Sequence, residues 1–411
     1  MGKLAITGGE AVHTTGWPSW PPQDPGYLEK LKAVLDSGVW GVGGPMNAAL
    51  SEEFKRLSDA EYVVPNTSGT IALELALRAL EVGAGDEVIV PPYTFIATAS
   101  AVIAVNAIPI FADIKPDTLC LDADAVAAAV TPQTKAVIGV HIGGMPADLQ
   151  ALQAVCDRHG LALIEDCAQA HGAEYRGRKV GAIGNAGAFS FQSSKNITAG
   201  EGGITTTNDR ALYGKAWSYM NVGRVPDGGW YDHRVMGMNL RLTEFQAALI
   251  LRGMETWPEQ AALRDANAAH LRARLDEIEG LDAQAFSPGG ERCAYHLFIF
   301  RYDRNGFGGV SRDRFVEALA AEGIPVGRGY NPLYREGMFT QGWDPTRCPF
   351  SCPNYKGTVD YTQVHCPVTE HICTDGSFWM GQSTLLGTTR DMDDVADAVL
   401  KIRNNIDELK D

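Results

Sequence analysis

The sequence predicts an α/β protein with a large, mostly parallel sheet, followed by a smaller C-terminal α+β region. Two observations carry this prediction. Between residues 60 and 210, short and almost wholly apolar segments alternate with helical segments, which is typical of strands that helices cover on both faces. After Gly280 the pattern changes, with a predicted strand at His296–Tyr302 and a closing amphipathic helix at Asp391–Asn404.

The individual elements follow in chain order. Residues 1–25 are rich in Gly, Pro and Trp, which predicts an extended arm that packs on another surface, such as a second subunit. Apolar spacing predicts helices at Tyr27–Ser37, Met46–Leu57, Ile71–Leu80, Ala97–Val105, Ala123–Val130, Leu149–His159, much of Tyr213–Leu251, Glu259–Ile278 and Arg312–Glu322. Apolar runs predict strands from Tyr62 and at Glu87–Val90, Ile108–Asp113, Lys135–His141, Leu161–Asp166, Ala186–Phe191, Gly203–Thr207 and Ile324–Gly327. The Glu259–Ile278 helix is predicted to connect a large domain, residues 26–258, to a small one, residues 259–411.

The composition limits the classes of partner. A net charge of −15 argues against nucleic acid or an anionic membrane as the main partner. No apolar run is long enough to span a bilayer and no signal-like segment begins the chain, so a cytoplasmic protein with reduced thiols is expected. Cysteines and histidines between Cys348 and Cys373 match no standard zinc spacing, and no metal site is predicted.

Lys195 lies in a polar turn between the predicted strands Ala186–Phe191 and Gly203–Thr207. Because apolar segments flank it closely, its amine is expected to point into a partly dry site. Desolvation lowers a lysine pKa and makes the amine usable as a nucleophile or a Schiff-base partner. The alternative is an ordinary lysine on a glycine-rich hairpin, and this stretch alone favours neither.

Several side chains fall just after the carboxyl ends of predicted strands, where sheets of this kind bind ligands. They are Tyr93, Phe95, His141, Asp166 and Lys195. Asp166 could bind a metal, act as a base, cap the following segment, or hold a cationic ring nitrogen. A lysine nearby fits the last role, because an ionised carboxylate keeps a pyridine nitrogen protonated.

Other residues extend the same hypothesis. The turn Thr67-Ser-Gly-Thr70 opens a helix and is either an anion site or a plain N-cap. Ser190 could face a phosphate, Phe95 or Tyr93 could stack on a flat ring or belong to the core, and Gln169 could donate to a ring oxygen or be exposed. Together these residues predict a site for pyridoxal 5′-phosphate.

The motifs resemble those of the DegT/DnrJ/EryC1/StrS sugar aminotransferases. The resemblance covers nearly the whole chain, with its motifs in the family order. They are Thr67-Ser-Gly-Thr70, Pro92-Tyr-Thr-Phe-Ile-Ala97, Glu165-Asp-Cys-Ala-Gln-Ala-His-Gly172, Phe189-Ser-Phe191, Lys195-Asn196 with Gly200-Glu-Gly-Gly203, and Met238-Asn-Leu-Arg241 with Glu244-Phe-Gln-Ala-Ala248.

The resemblance implies a fold of the aspartate aminotransferase type (fold type I) and a homodimer with shared active sites. It implies that Lys195 is the Schiff-base lysine, that Asp166 pairs with the pyridinium nitrogen, and that Gln169 lies beside the phenolic oxygen. Phe95 is the implied stacking aromatic, with Tyr93 as its competitor. The implied phosphate ligands are Ser68, Gly69, Thr70, Ser190 and, reaching into the neighbouring subunit, Asn239.

The resemblance also implies an activity. Members with histidine in place of the lysine are dehydratases, so Lys195 favours transamination. Finer features are similar to the branch that acts on keto-cyclitols such as scyllo-inosose and 2-deoxy-scyllo-inosose. This implies transfer of an amino group from glutamine or glutamate to a keto-cyclitol or keto-sugar, in aminoglycoside-type antibiotic or other secondary-metabolite biosynthesis. The segments Tyr219–Arg241 and Arg328–Tyr334 are expected to supply polar loops for such a hydroxyl-rich substrate.

Three alternatives remain at this point. The first is a dehydratase and aromatase similar to 3-amino-5-hydroxybenzoate synthase, and the second is a non-catalytic regulatory relative. The third is a nicotinamide-dependent oxidoreductase, which lacks support because no G-x-G-x-x-G follows an early predicted strand.

Overall fold

The computed structural model describes residues 2–342, 344 and 346–410. A seven-stranded sheet confirms the predicted α/β class. Its strands are β1 (Tyr62–Asn66), β2 (Glu87–Val90), β3 (Ile108–Phe111), β4 (Thr134–Val140), β5 (Ala162–Asp166), β6 (Ala186–Ser190) and β7 (Gly203–Thr207). The order across the sheet is β1-β7-β6-β5-β4-β2-β3. Neighbouring strands are parallel except where β7 pairs with β1 and β6.

Helices lie before, between and after these strands in the chain. They are α1 (Gly26–Ser37), α2 (Pro45–Ser58), α3 (Gly69–Ala79), α4 (Ala97–Ala104), α5 (Ala123–Ala129), α6 (Leu149–His159), α7 (Arg210–Met220), α8 (Glu244–Leu275), α9 (Arg312–Ala321), α10 (Gly337–Thr340), α11 (Pro367–His371) and α12 (Thr389–Asn404). Local sequence sets their ends. Helix α6, for example, begins after Asp148, whose carboxylate accepts from the Ala151 N–H, and it ends at Gly160 in the left-handed region.

Helix α8 differs from its prediction. The sequence suggested two helices, one ending at Leu251 and one beginning at Glu259, but α8 is a single helix of 32 residues with Pro258 inside it. An internal proline costs about 3 kcal/mol because it removes a hydrogen bond and crowds the preceding turn. Buried residues on both sides, such as Ala247 and Leu271, hold the helix continuous in spite of this cost. The domain division after residue 258 remains a prediction, and that position lies inside α8.

The C-terminal region contains a second, antiparallel sheet of β8 (Leu281–Ala283), β9 (Leu297–Tyr302) and β10 (Ser377–Gly381). The predicted strand Ile324–Gly327 is wrong, because only Gly327 forms a single bridge, to Trp379. Strand β10 was not predicted. It is short, and its partner β9 lies far away in the chain, so local pattern alone does not reveal it. A short third sheet joins Glu174–Tyr175, Arg178–Lys179 and Gly290–Arg292.

The N-terminal arm packs on its own chain. The His13 N–H donates to the Glu322 carbonyl over 2.9 Å, and the Trp17 indole N–H donates to the Gly323 carbonyl over 2.8 Å. Trp17 is therefore engaged at the end of α9 within the same subunit. Among the described residues, no helix combines the length and the apolar character that crossing a membrane requires.

Candidate active site

Asp166 ends strand β5 and is 5% exposed. The Thr98 hydroxyl donates to its Oδ2 over 2.8 Å, and the Ala168 N–H donates to its Oδ1 over 3.1 Å. Burial raises the pKa of the Asp166 carboxyl, while these hydrogen bonds and the charge of Lys195 oppose that rise. A cationic ligand placed against Asp166 would therefore stabilise its ionised form.

Lys195 lies in the turn that follows β6, where its N–H donates to the Gln192 carbonyl over 2.9 Å. Its side chain is half-buried. Burial lowers the pKa of the Lys195 amine to about 8, against the opposing attraction of Asp166. A sizeable share of the amine is therefore neutral near physiological pH, and the neutral amine is the form that acts as a nucleophile.

Small residues bring three segments together at the start of α3. The Ser68 hydroxyl caps this helix by accepting from the Ile71 N–H over 3.3 Å. A Cβ on Gly69 would lie 2.6 Å from the Ser190 Cβ, and one on Gly203 would lie 2.2 Å from the Ser68 carbonyl oxygen. Only glycine permits these approaches. The helix start, including the N–H of Thr70, therefore faces Ser190 in a cradle that suits a phosphate.

Gln169 is held in one orientation. Its Oε1 accepts from the Gly143 N–H over 2.7 Å, so its Nε2 must be the atom that donates to the Tyr330 hydroxyl over 3.0 Å. The side chain is 4% exposed, and the alternative of an exposed polar residue is therefore wrong. Burial raises the pKa of the Tyr330 hydroxyl to about 12, which keeps that group protonated.

The two candidate stacking aromatics differ in their surroundings. Tyr93 is fully buried, and its hydroxyl lies 3.0 Å from the Ser377 hydroxyl. Its ring and that of Tyr330 are nearly perpendicular, with the centroids 5.6 Å apart. Phe95, by contrast, is 58% exposed. Tyr93 thus belongs to the packed wall of the site, whereas the exposed ring of Phe95 is accessible for stacking on a cofactor ring.

Asn239 is exposed and lies outside this cluster. It lines an open groove of about 760 Å³ together with Tyr62 and Arg241. Asn239 does not cap the next helix, because Thr243 caps α8 in a capping box with Gln246.

A family model described as the DegT/DnrJ/EryC1/StrS aminotransferase family matches residues 23–375. The chain belongs to this aminotransferase family. The predicted fold of aspartate aminotransferase type agrees with a solved structure of 3-amino-5-hydroxybenzoic acid (AHBA) synthase. That structure is 32% identical, with a TM-score of 0.84, over 95% of this chain and 100% of the other.

Curated relatives match this aminotransferase along its whole length. An L-glutamine:2-deoxy-scyllo-inosose aminotransferase of Streptoalloteichus tenebrarius is 42% identical over 99% of both chains. A putative L-glutamine:3-amino-2,3-dideoxy-scyllo-inosose aminotransferase of Streptomyces kanamyceticus is 40% identical, over 100% of this chain and 99% of the relative.

A buried hydrogen-bond network around Glu165, the residue before Asp166, was not predicted. His141 Nδ1 accepts from the Ala147 N–H over 3.0 Å, so its Nε2 carries the hydrogen and donates to Glu165 Oε2 over 3.3 Å. Glu165 also accepts from the backbone N–H groups of Gly181, Ile183 and Gly184. These contacts hold the pKa of Glu165 below its usual value in spite of burial. The one sequence feature that could have indicated this network is Glu165, an acidic residue next to Asp166 in an otherwise apolar strand.

A second unpredicted contact holds the lysine turn of the aminotransferase. Asn196 donates through Nδ2 to the Ala294 carbonyl over 2.7 Å, so its Oδ1 is the acceptor for His296 Nδ1 over 3.2 Å. Burial lowers the pKa of His296 well below its ordinary value, which keeps this imidazole neutral. The residue next to Lys195 is thereby tied to the start of β9. Nothing local in the sequence indicated this pairing across the chain.

The depressed pKa of Lys195 leads to a test in the cofactor-free protein. We expect labelling of Lys195 by acetic anhydride, read by peptide mass spectrometry, to rise with pH through a midpoint of about 8, because only the neutral amine reacts. Exposed Lys135 is followed in the same samples as the internal comparison. Equal midpoints for the two lysines would contradict the partly dry environment of Lys195.

Proposed function

We propose that this chain is a pyridoxal 5′-phosphate-dependent aminotransferase that moves an amino group from glutamine, or glutamate, to the ketone of a keto-cyclitol or keto-sugar. The single observation that carries the proposal is Lys195, whose amine has a depressed pKa and interacts with buried Asp166 beside the α3 cradle. The names of relatives at 38–42% identity support glutamine as donor and a scyllo-inosose derivative as acceptor. These names favour a role in aminocyclitol biosynthesis.

The residues present fit the cofactor. Ser68, Gly69, Thr70 and Ser190 would hold its phosphate, since α3 opens beside Ser190 with no side chain at Gly69. Asp166 would pair with the ring nitrogen, Gln169 would lie by the ring oxygen, and Phe95 would cover a ring face. When bound, the cofactor supplies an electron-accepting ring that stabilises negative charge on the carbon losing a proton.

Lys195 has two tasks in this proposal. As a neutral amine it would take the proton from the Cα of the amino donor, and as an ammonium it would deliver a proton to the C4′ carbon of the cofactor. A pKa of about 8 suits both directions, because neither protonation state is strongly favoured near neutral pH. Thr98 and Ala168 orient Asp166 so that its negative charge stays in place during the transfer.

Product analysis tests the function. The purified protein, loaded with cofactor, is incubated with L-glutamine and 2-deoxy-scyllo-inosose, and the products are identified by mass spectrometry and NMR. The proposal requires an aminated cyclitol that keeps its ring hydroxyls. A dehydrated aromatic product would favour the 3-amino-5-hydroxybenzoate synthase-like alternative. Bound cofactor without any turnover would favour the regulatory one.

We also propose a homodimer with shared active sites, located in the cytoplasm. Large apolar side chains are exposed around the groove that Asn239 lines and on the loop before it. These are Trp40 (53%), Trp230 (69%), Tyr231 (86%), Met236 (94%) and Met238 (53%). Several large exposed apolar side chains in one region favour an interaction surface, and a two-fold axis would place the same surface on both subunits. All eight cysteines are unpaired, as expected in a reducing compartment.

Asn239→Ala tests the shared site. If Asn239 reaches the phosphate bound by the other subunit, its loss should weaken cofactor retention and dimerisation in parallel, because a ligand bound only by the dimer stabilises the dimer. Sedimentation over a dilution series, with cofactor measured on the same samples, reads both effects. Asn305→Ala, at an exposed position in the C-terminal region, is the matched control. A fully active monomer would refute the shared site.

A further inference from the structure

A second cavity, of about 330 Å³, lies between the segment after β2 and the segment that leads into α10. Aromatic and apolar side chains form part of its lining, and polar side chains form the rest. The lining includes Thr94, Phe95, Tyr330, Asn331, Glu336 and Met338. Pockets with apolar walls and a few placed polar groups are the common form of small-molecule sites.

Two hydrogen-bond paths connect this cavity to the candidate active site. The Thr94 hydroxyl lies 3.1 Å from the Thr98 hydroxyl, which donates to Asp166 over 2.8 Å. The Tyr330 hydroxyl accepts from Gln169 over 3.0 Å. In the cavity wall, Thr94 is therefore linked to Asp166 through Thr98, and Tyr330 contacts Gln169 directly. A molecule in the cavity would lie beside the reacting centre.

Glu336 supplies an uncompensated carboxylate to this cavity. Its Oε1 accepts from Asn331 Nδ2 over 2.9 Å, which orients both side chains. Within residues 2–342, 344 and 346–410, no lysine, arginine or histidine forms an ion pair with Glu336. A carboxylate accepts hydrogen bonds through both oxygens, and hydroxyl donors bind it strongly. A negatively charged guest would be repelled by Glu336, so the lining favours a neutral, hydroxyl-rich molecule.

We propose that this cavity binds the ring of the acceptor substrate, with the Glu336 carboxylate accepting hydrogen bonds from its hydroxyl groups. The apolar side chain of Met338 then packs against the C–H groups of the ring. Asn331 holds the carboxylate in place and is a positioning residue. The inference rests on the proposed function, because it names where the polyol acceptor of that reaction binds.

Glu336→Gln tests the inference, since it removes the charge and keeps the shape. We expect kcat/KM for 2-deoxy-scyllo-inosose to fall on the order of 10- to 100-fold, which corresponds to the free energy that a hydrogen bond to a charged group contributes. The half-reaction with L-glutamine, followed by the absorbance of the bound cofactor, should change less than about threefold because the donor has no ring hydroxyls. Glu277→Gln, at an exposed position after α8, should change neither rate.

The other outcomes are decisive as well. An unchanged kcat/KM for the acceptor overturns the inference, as does an equal loss in both half-reactions, which would indicate a merely structural Glu336. Asn331→Ala removes the hydrogen bond that orients Glu336 and leaves the carboxylate in place. It should lower only kcat/KM for the acceptor, and by a smaller factor than Glu336→Gln. If the unaltered protein shows no half-reaction with either glutamine or glutamate, the proposed function fails first, and this inference falls with it.

Discussion

Lys195→Ala is expected to lower turnover by about 10⁴-fold or more, because positioned proton transfer alone contributes about 10²–10⁴-fold and the covalent anchor of the cofactor is lost as well. In the unaltered protein, borohydride should abolish the absorbance band of the bound cofactor and fix the cofactor to the peptide that contains Lys195. The variant should lose both signals. Added methylamine should restore part of the lost rate, because a free amine can replace the missing base.

Lys135→Ala is the matched control for this experiment. Lys135 is exposed at the beginning of β4, and its removal should leave rate and spectrum unchanged. Attachment of the cofactor to any other lysine would overturn the assignment of Lys195, as would a Lys195→Ala variant with near-normal turnover.

Asp166→Asn is the second change with a large expected effect. The amide has the same shape but no charge, so a cationic ring nitrogen would lose its partner. We expect a loss of rate on the order of 100- to 1000-fold, the typical result of removing one preorganised electrostatic group. The cofactor should remain bound, because the residues proposed to hold its phosphate are untouched. Turnover measures the rate, cofactor content measures retention of the cofactor, and the near-ultraviolet spectrum reports the state of its ring.

The Asp166 experiment has its own control. Asp157 is exposed on α6 and accepts from Gln153, so Asp157→Asn should behave like the unaltered protein. An Asp166→Asn variant that keeps near-normal turnover would show that this carboxylate serves only the structure. A variant that unfolds would instead show lowered thermal stability together with loss of bound cofactor.

The sequence alone was sufficient for the class of fold and for most elements of the large sheet. The strand Gly203–Thr207 and the helix Leu149–His159 agree residue for residue with their predictions. The reason is physical: strands covered on both faces are rich in apolar and β-branched residues, and caps and glycines such as Asp148 and Gly160 mark helix ends locally. The motifs were also sufficient to identify the family. Asp166 lies at the carboxyl end of a strand, and ligands bind at that edge of a parallel sheet.

The elements that the sequence missed depend on partners far along the chain. Strand β10 exists through its pairing with β9, and α8 continues through Pro258 because tertiary packing holds both halves. Local propensity contains no information on either interaction, so the missed strand and the division of α8 into two helices have the same cause.

The chemistry of the site shows the same division. Residue types and spacing determined that a lysine, an acid and a helix start would meet at one edge of the sheet. Only the tertiary structure decided that Phe95 is exposed while Tyr93 is packed against Tyr330, and that Gln169 is oriented by Gly143. Burial and hydrogen-bond geometry arise when distant segments pack together, and so the depressed pKa of Lys195 and the position of Glu336 in the cavity wall become visible only in the folded chain.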